Sequence, residues 1–347
     1  MSGCALLFGA SVVPNPKRNH RAMTRADRPV LAIVSILTAM FCISLNDALI
    51  KFLSGDYPLH QLVFVRSAIG ISFTLVLVQM EGGWGLLKTE HPWLHLGRGL
   101  LVVTSNMTYF AALAVLPLAT SLALFFVAPL FITLLSIPLL GEKVGVRRLS
   151  AVAVGFVGVV TMQRPWAFSD VSLAEQLTLL LPVVAALTYA LMQILTRRLG
   201  VTARASALAV YVQATFLGVS TAFFLVAGDG RFAEGVDNPS LIFLLRAWVW
   251  PTSDDWWLFI ALGSISAVVG YTISQAYRLA PAATVAPFEY IALPLAIVWG
   301  WVFWSELPDS VVALGIALIV GSGLYVFIRE RIRAKTVATR RPQRRLL

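Results

Sequence analysis

Asp47 and Lys51 stand four residues apart in an otherwise apolar run, so an α-helix puts them on one face. Arg66 follows in the second apolar run, Arg98 in the third, and Glu289 far downstream between Pro287 and Pro294. Such charges cost about 3 kcal/mol each if left alone at the centre of a bilayer, so each must be paired or used. Two readings stand for Asp47, Lys51 and Arg66. In one they form a charged cluster that contacts a polar ligand or gates its passage. In the other Lys51 and Arg66 reach toward headgroups and Asp47 neutralises them. Arg98 and Glu289 fall toward matching ends of their runs, and an Arg98–Glu289 pair is expected, as a structural bridge or as part of a site. Proline frees backbone carbonyls, and a carboxylate beside loosened backbone suits a polar ligand or a proton.

Amides and phenols join these charges within the apolar runs: Asn46, Asn106, Tyr109, Tyr189, Gln193, Tyr271, Gln275 and Tyr290. Aromatic rings stack on planar heterocycles and amides orient hydrogen bonds. Taken singly, each is more often a helix–helix contact or an interface aromatic. As a set they are expected to line one central cavity, with Tyr109, Tyr189, Gln193, Tyr271 and Tyr290 pointing inward in larger part than outward. No metal and no cofactor is expected. His91 and His95 have i, i+4 spacing but no third ligand near them, His20 and His60 fall elsewhere, and Cys4 and Cys42 form no metal spacing.

The elements that position these residues are long apolar stretches. Hydrophobic residues make up 58% of the 347 and charged residues 13%, with a mean hydropathy of +0.81. A soluble domain carries about 25% charged residues, so lipid must act as the solvent here. In lipid every backbone amide needs an internal partner, which leaves helices or closed barrels. The runs reach about 20 residues without alternation, so helices are expected. Ten are read, at 30–53, 59–80, 93–115, 119–140, 147–164, 174–196, 204–227, 255–279, 282–304 and 309–328. The long connection 228–254 carries LIFLLRAWVW, which is expected to lie along the membrane interface. Residues 1–28 read as a tail, in which Met23 is an alternative start, and 330–347 as a basic tail.

The net charge of +10 does not point to nucleic acid, because the basic residues gather in short loops and at the ends. With both termini in the cytoplasm, 21 Lys and Arg residues face inward, 3 face outward, and Lys51, Arg66 and Arg98 lie within spans. That bias places both termini inside.

The second half of the chain echoes the first. An offset of 164 residues carries LPLATSLALFFVAPL at 116–130 onto APAATVAPFEYIALP at 280–294, Pro117 onto Pro281, Thr120 onto Thr284, and Gly141-Glu142 onto Ser305-Glu306. Five helices separate the equivalents, so the halves insert upside down relative to each other. Gly155, Gly158, Gly315, Gly321 and Gly323 read as points of close backbone packing.

This pattern resembles the drug/metabolite transporter superfamily, EamA type. The likeness is strongest in YRLAPAATVAPFEYIALPLAIVWGWVFWSELPD at 277–309, with NDALIK at 46–51, Arg66 and Arg98-Gly99-Leu100 matching a subset known as S-adenosylmethionine or riboflavin uptake carriers. The resemblance covers about 30–330. It implies an all-α integral membrane fold of ten transmembrane helices in two inverted five-helix EamA-like repeats, 29–165 and 166–329. It implies a secondary carrier of a small organic metabolite in the cell inner membrane. Proton coupling and a homodimer are carried with that expectation. An integral-membrane enzyme and a passive channel are the alternatives.

Overall fold

The computed structural model describes residues 29–340, leaving aside 90, 143, 165, 167–172, 200–204 and 281. The expected tail 1–28, the last residues of the basic tail, and the boundary residues Pro165, Gly200 and Pro281 lie outside the described residues. In chain order the helices are α1 (Pro29–Leu53), α2 (Leu59–Glu81), α3 (Pro92–Leu113), α4 (Leu118–Phe125), α5 (Ala128–Leu140), α6 (Val146–Gln163), α7 (Leu173–Leu199), α8 (Ala205–Ala227), α9 (Pro239–Leu245), α10 (Trp256–Leu279), α11 (Ala282–Val285), α12 (Ala292–Trp304) and α13 (Ser310–Arg340). Among the described residues nine stretches are long and apolar enough to cross a membrane, α4 and α5 counting together. Helix α3 is long enough too, its apolarity diluted by Arg98, Ser105 and Asn106. With it the expected ten are reached.

The fourth and ninth spans, read as continuous, are broken in the structure. Pro129 cannot donate to the Phe125 carbonyl and its ring crowds that oxygen, so α4 stops at Phe125 and α5 restarts at Ala128. In the second half Pro287 and Pro294 leave α11, a 3₁₀ turn (Ala286–Ile291) and α12 where one helix was expected. The two broken spans also end alike. Gly141 closes α5 at φ 68° and Ser305 closes α12 at φ 56°, both left-handed. Glycine takes that conformation without strain; Ser305 takes it despite its Cβ. Helix α13 continues past its expected end at 328 to Arg340, because RERIRAK is made of strong helix formers. At its start Asp309 Oδ1 accepts the Val311 and Val312 amides at 3.0 and 2.9 Å, an N-cap.

Packing follows the pattern that inversion demands. Helix α1 lies on α10 and α12, while its counterpart α7 lies on α3 and α5; α2 packs on α8, and α6 on α13. Exchanging the halves returns the same pairs. At the α6–α13 contact a Cβ on Gly158 would stand 2.9 Å from the Gly315 carbonyl oxygen, and one on Gly315 would stand 2.9 Å from the Gly158 oxygen. Gly155 faces Leu130 and Ser322, and Gly323 faces the Tyr290 hydroxyl. Gly321 has open space around it and takes no part in this packing, contrary to expectation.

The outside of the bundle is an apolar belt. Val34, Phe41, Phe73, Val76, Val154, Val157 and Trp301 are all exposed. A water-facing monomer does not carry a patch of that extent, and lipid covers it. The protein is a multi-pass membrane protein.

The 228–254 connection, expected along the membrane interface, packs onto the bundle itself. It folds back over the bundle end that holds the turn 54–58. Phe243 is buried, and Ser240 Oγ donates to the Ala111 carbonyl at 2.6 Å. Gln61 donates Nε2 to the Val249 carbonyl at 2.5 Å and accepts the Val249 amide at 3.1 Å. The Trp248 ring meets the rings of His60, Phe64 and Phe224.

Candidate functional site

Helix α1 brings Asn46 and Asp47 to the interior, and α3 brings Asn106 and Tyr109 to meet them. Tyr109 donates its hydroxyl to Asp47 Oδ2 at 3.0 Å, and Asn46 Nδ2 donates to Asp47 Oδ1 at 3.3 Å. Ser266 of α10 donates to the Leu262 carbonyl at 2.9 Å, and its Oγ lies 3.3 Å from Asn46 Oδ1. Arg66 enters from α2. Its Nη2 donates to Asn106 Oδ1 at 2.9 Å, and its guanidinium lies 5.4 Å from the Phe110 ring centroid and 5.3 Å from that of Phe216. Asp47 is 6% exposed and Arg66 8%. Such burial is tolerable because each charged group has hydrogen bonds and, for Arg66, aromatic faces.

These side chains surround a cavity of about 320 Å³ near the middle of the helices, closed on its other walls by Phe125, Tyr189 and Gln213. Asp47 and Arg66 lie within each other's field. Their atoms form no direct ion pair, whereas Lys51 and Glu306 do. The cavity thus holds one negative and one positive group, each facing open space.

The expected cluster of Asp47, Lys51 and Arg66 divides in two. Lys51 turns away from Asp47 and donates to Glu306 Oε1 and Oε2 at 2.9 and 3.1 Å and to the Leu116 carbonyl at 2.8 Å, with the Trp304 ring 5.2 Å off. Positions four apart on a helix are still offset by about 40° around its axis. That offset sends Lys51 toward α12 while Asp47 faces α3. The headgroup-reaching role weighed for Lys51 and Arg66 gives way as well, since both are buried within the protein.

Arg98 has a different partner from the one expected. Its Nε donates to Thr196 Oγ1 on α7 at 2.8 Å. Glu289 lies in the 3₁₀ turn, where its charge acts on the hydroxyls of Tyr189 and Tyr290. Tyr189 is therefore shared, lining the cavity on one side and feeling Glu289 on the other. Gln193 donates to the Tyr189 hydroxyl at 2.8 Å and touches the cavity through it. Tyr290 packs on Phe126 with centroids 5.0 Å apart.

Tyr271 and Gln275 do not belong to the cavity. They bond each other at 2.8 Å, and Tyr271, 48% exposed, sits one turn from Val268 on the same outward face as Ile260. Of the five residues expected to point inward in larger part than outward, Tyr271 is the one that helix rotation leaves exposed. The sequence reading also missed Gln213, Ser105 and Ser266. Gln213 was the findable one: a lone amide within an apolar span. Gly70 leaves the space that its Nε2 fills. Glu306 was seen only as punctuation in the repeat.

The bundle end holding the turn 54–58 is tied shut across the two halves. Beside Lys51–Glu306, Tyr57 donates to Asp255 Oδ2 at 2.6 Å, Arg164 pairs with Asp309, and Arg246 donates to the Gly55 carbonyl. Desolvation of Tyr57, with Asp255 beside it, pushes that phenol above its ordinary pKa, and the hydrogen bonds from Tyr57 and Thr252 hold Asp255 below the usual carboxylate range.

A helical membrane bundle with a charged interior cavity is an arrangement that small-molecule transporters use. Known proteins agree. The EamA-like transporter family model matches residues 30–163. A pseudopaline exporter, CntI, of Pseudomonas aeruginosa is 30% identical over 83% of this chain and 93% of its own length. A riboflavin transporter of Rhizobium johnstonii is 28% identical over 90% of this chain and 95% of its own. An S-adenosylmethionine uptake transporter of Rickettsia prowazekii is 25% identical over 86% and 92%. A protein of known crystal structure superposes with a TM-score of 0.57 at 21% identity, covering 87% of this chain and 97% of its own, which speaks to the fold alone. The chain belongs to the EamA-like transporter family. It is a transporter of small metabolites, not an enzyme.

Proposed function

We propose that the chain is a secondary carrier working by alternating access, with the Asp47–Arg66 cavity as its substrate site. The observation that carries this is the pair of nine-tenths-buried opposite charges lining one cavity near the middle of the bundle. A buried charge that faces space is there to meet something. The repeats 29–165 and 166–329 rock about this cavity, which draws its walls from both. Both termini lie in the cytoplasm of a cell whose inner membrane holds the carrier, so the end holding the turn 54–58 faces outward. The cross-ties at that end then belong to an outward-closed conformation. Glu289, reached from the cavity through Tyr189, is the group that couples a proton. The apolar belt leaves room for a homodimer.

The rings of Tyr109, Phe110, Phe125, Tyr189 and Phe216 around the cavity suit the body of an organic metabolite, in keeping with relatives named for riboflavin and S-adenosylmethionine. The test is reconstitution into liposomes with labelled S-adenosylmethionine, riboflavin and amino acids. Saturable uptake with counterflow is expected, and Asp47→Asn and Arg66→Gln are each expected to weaken it tenfold or more without abolishing it. Uptake that is linear and shows no counterflow makes the protein a channel instead.

A further inference from the structure

We propose that the cavity selects a ligand bearing a cationic and an anionic group at once, the cation against Asp47 and the anion against Arg66. This rests on the reading of the cavity as the substrate site. Both side chains are held from behind. Tyr109 and Asn46 donate to the carboxylate, and Asn106 and two aromatic rings hold the guanidinium. These supports keep the two charges in place and apart.

The bonding capacity of each group is unfilled. A guanidinium has five N–H donors, and that of Arg66 gives one to a protein acceptor. A carboxylate offers about four acceptor positions, and that of Asp47 uses two. The fold could have satisfied both by direct contact, as it does between Lys51 and Glu306 at 2.9 Å. It does not bring them within ion-pair distance, and both line one cavity of about 320 Å³. The empty space is of a size for a small organic molecule.

Charge balance narrows the ligand further. The cavity is neutral as a whole, with its two charges separated. A ligand with only a cation leaves Arg66 without a counter-charge, and one with only an anion does so to Asp47. A neutral ligand leaves both. A ligand of opposite polarity to the cavity meets both and adds no net charge. Each charge-assisted hydrogen bond lost lowers affinity about tenfold or more. Aromatic walls on Phe110, Phe125 and Phe216 leave the body between the two charged groups free to be apolar or planar.

The experiment uses the full-length protein in liposomes. The probes are the proteinogenic amino acids and S-adenosylmethionine, the methyl esters and N-acetyl derivatives of the amino acids, and riboflavin as the uncharged comparator. At least one zwitterion is expected to be taken up saturably, with its ester and its N-acetyl form each tenfold or more weaker. Asp47→Asn is expected to lose the preference over the N-acetyl form, and Arg66→Gln the preference over the ester. Arg66→Lys, which keeps the charge, is expected to keep the preference, and this controls for a variant that merely folds badly. Riboflavin uptake with no zwitterion moved, or equal uptake of zwitterion, ester and N-acetyl form, overturns the inference and leaves the carrier reading standing. Movement of no probe at all overturns both.

Discussion

Replacing Lys51 with Met keeps the length of the side chain and removes its charge. The consequence can be sized. Lys51 is 7% exposed in its side chain and Glu306 27%, and the ammonium makes three short contacts, two to Glu306 and one to the Leu116 carbonyl. Breaking a buried pair by removing one partner costs about 3–5 kcal/mol, and the partial exposure of Glu306 puts this pair at about 3. The bridge exists only while α1 and the turn at 305–309 are together, so its loss falls on the conformation closed at that end. At about 1.4 kcal/mol per factor of ten, the balance moves about 100-fold toward the open form. Thr120 reports on this, because it lines the cleft of about 120 Å³ beside Glu306 and Pro117. With Cys4 and Cys42 changed to Ser and Thr120 to Cys, a membrane-impermeant maleimide measures opening. Labelling is expected to rise by up to about 100-fold in Lys51→Met and similarly in Glu306→Gln. The double variant should be little worse than either, since both remove one interaction. Labelling within twofold of the parent in both single variants, at matched expression, would refute the bridge as a closing contact.

Other outcomes follow from other parts of the fold. Glu289→Gln is expected to lower transport tenfold or more while the protein still inserts, and to remove any dependence of uptake on pH; near-normal uptake takes Glu289 out of the mechanism. Gly158→Leu drives a side chain into the Gly315 backbone, and overpacking of this kind costs about 1–3 kcal/mol; melting in detergent should fall by several degrees, and an unchanged melt contradicts the close α6–α13 contact. Asp255 is held below its ordinary pKa by Tyr57 and Thr252, so its contribution is present above the unfolded value of about 4 and is lost as pH falls through the depressed folded value. Limited proteolysis of 228–254 should therefore quicken only at acid pH, and Tyr57→Phe should move that onset upward. A cysteine placed at Asp237 should be labelled from outside sealed cells and one at Lys88 should not; the reverse result inverts the topology.

The sequence alone was enough for the membrane, the helices and the presence of charges within them. Insertion depends on the summed apolarity of about 20 consecutive residues, a local quantity, and a charge in such a run must be used or paired whatever surrounds it. Asn46, Asp47, Arg66, Asn106, Tyr109 and Tyr189 could be named on those grounds, and they do share one cavity. Proline chemistry was legible too, although its result, two broken spans in place of continuous ones, was not drawn from it. Partnership was not legible. Lys51 meets Glu306 across 255 positions, and Arg98 meets Thr196 across 98. Tyr271 is exposed on the outside of the cavity while Tyr189 faces into it, though both stand in apolar helices. Such outcomes turn on the rotation of each helix about its axis, where one residue is about 100°. That rotation is set by the neighbours each helix packs against, α1 on α10 and α12, α2 on α8 and α10, α7 on α3 and α5. The separation of Asp47 from Arg66 has the same origin. It takes seven helices, each fixed by its own neighbours, to line one cavity with two opposite charges that form no ion pair with each other.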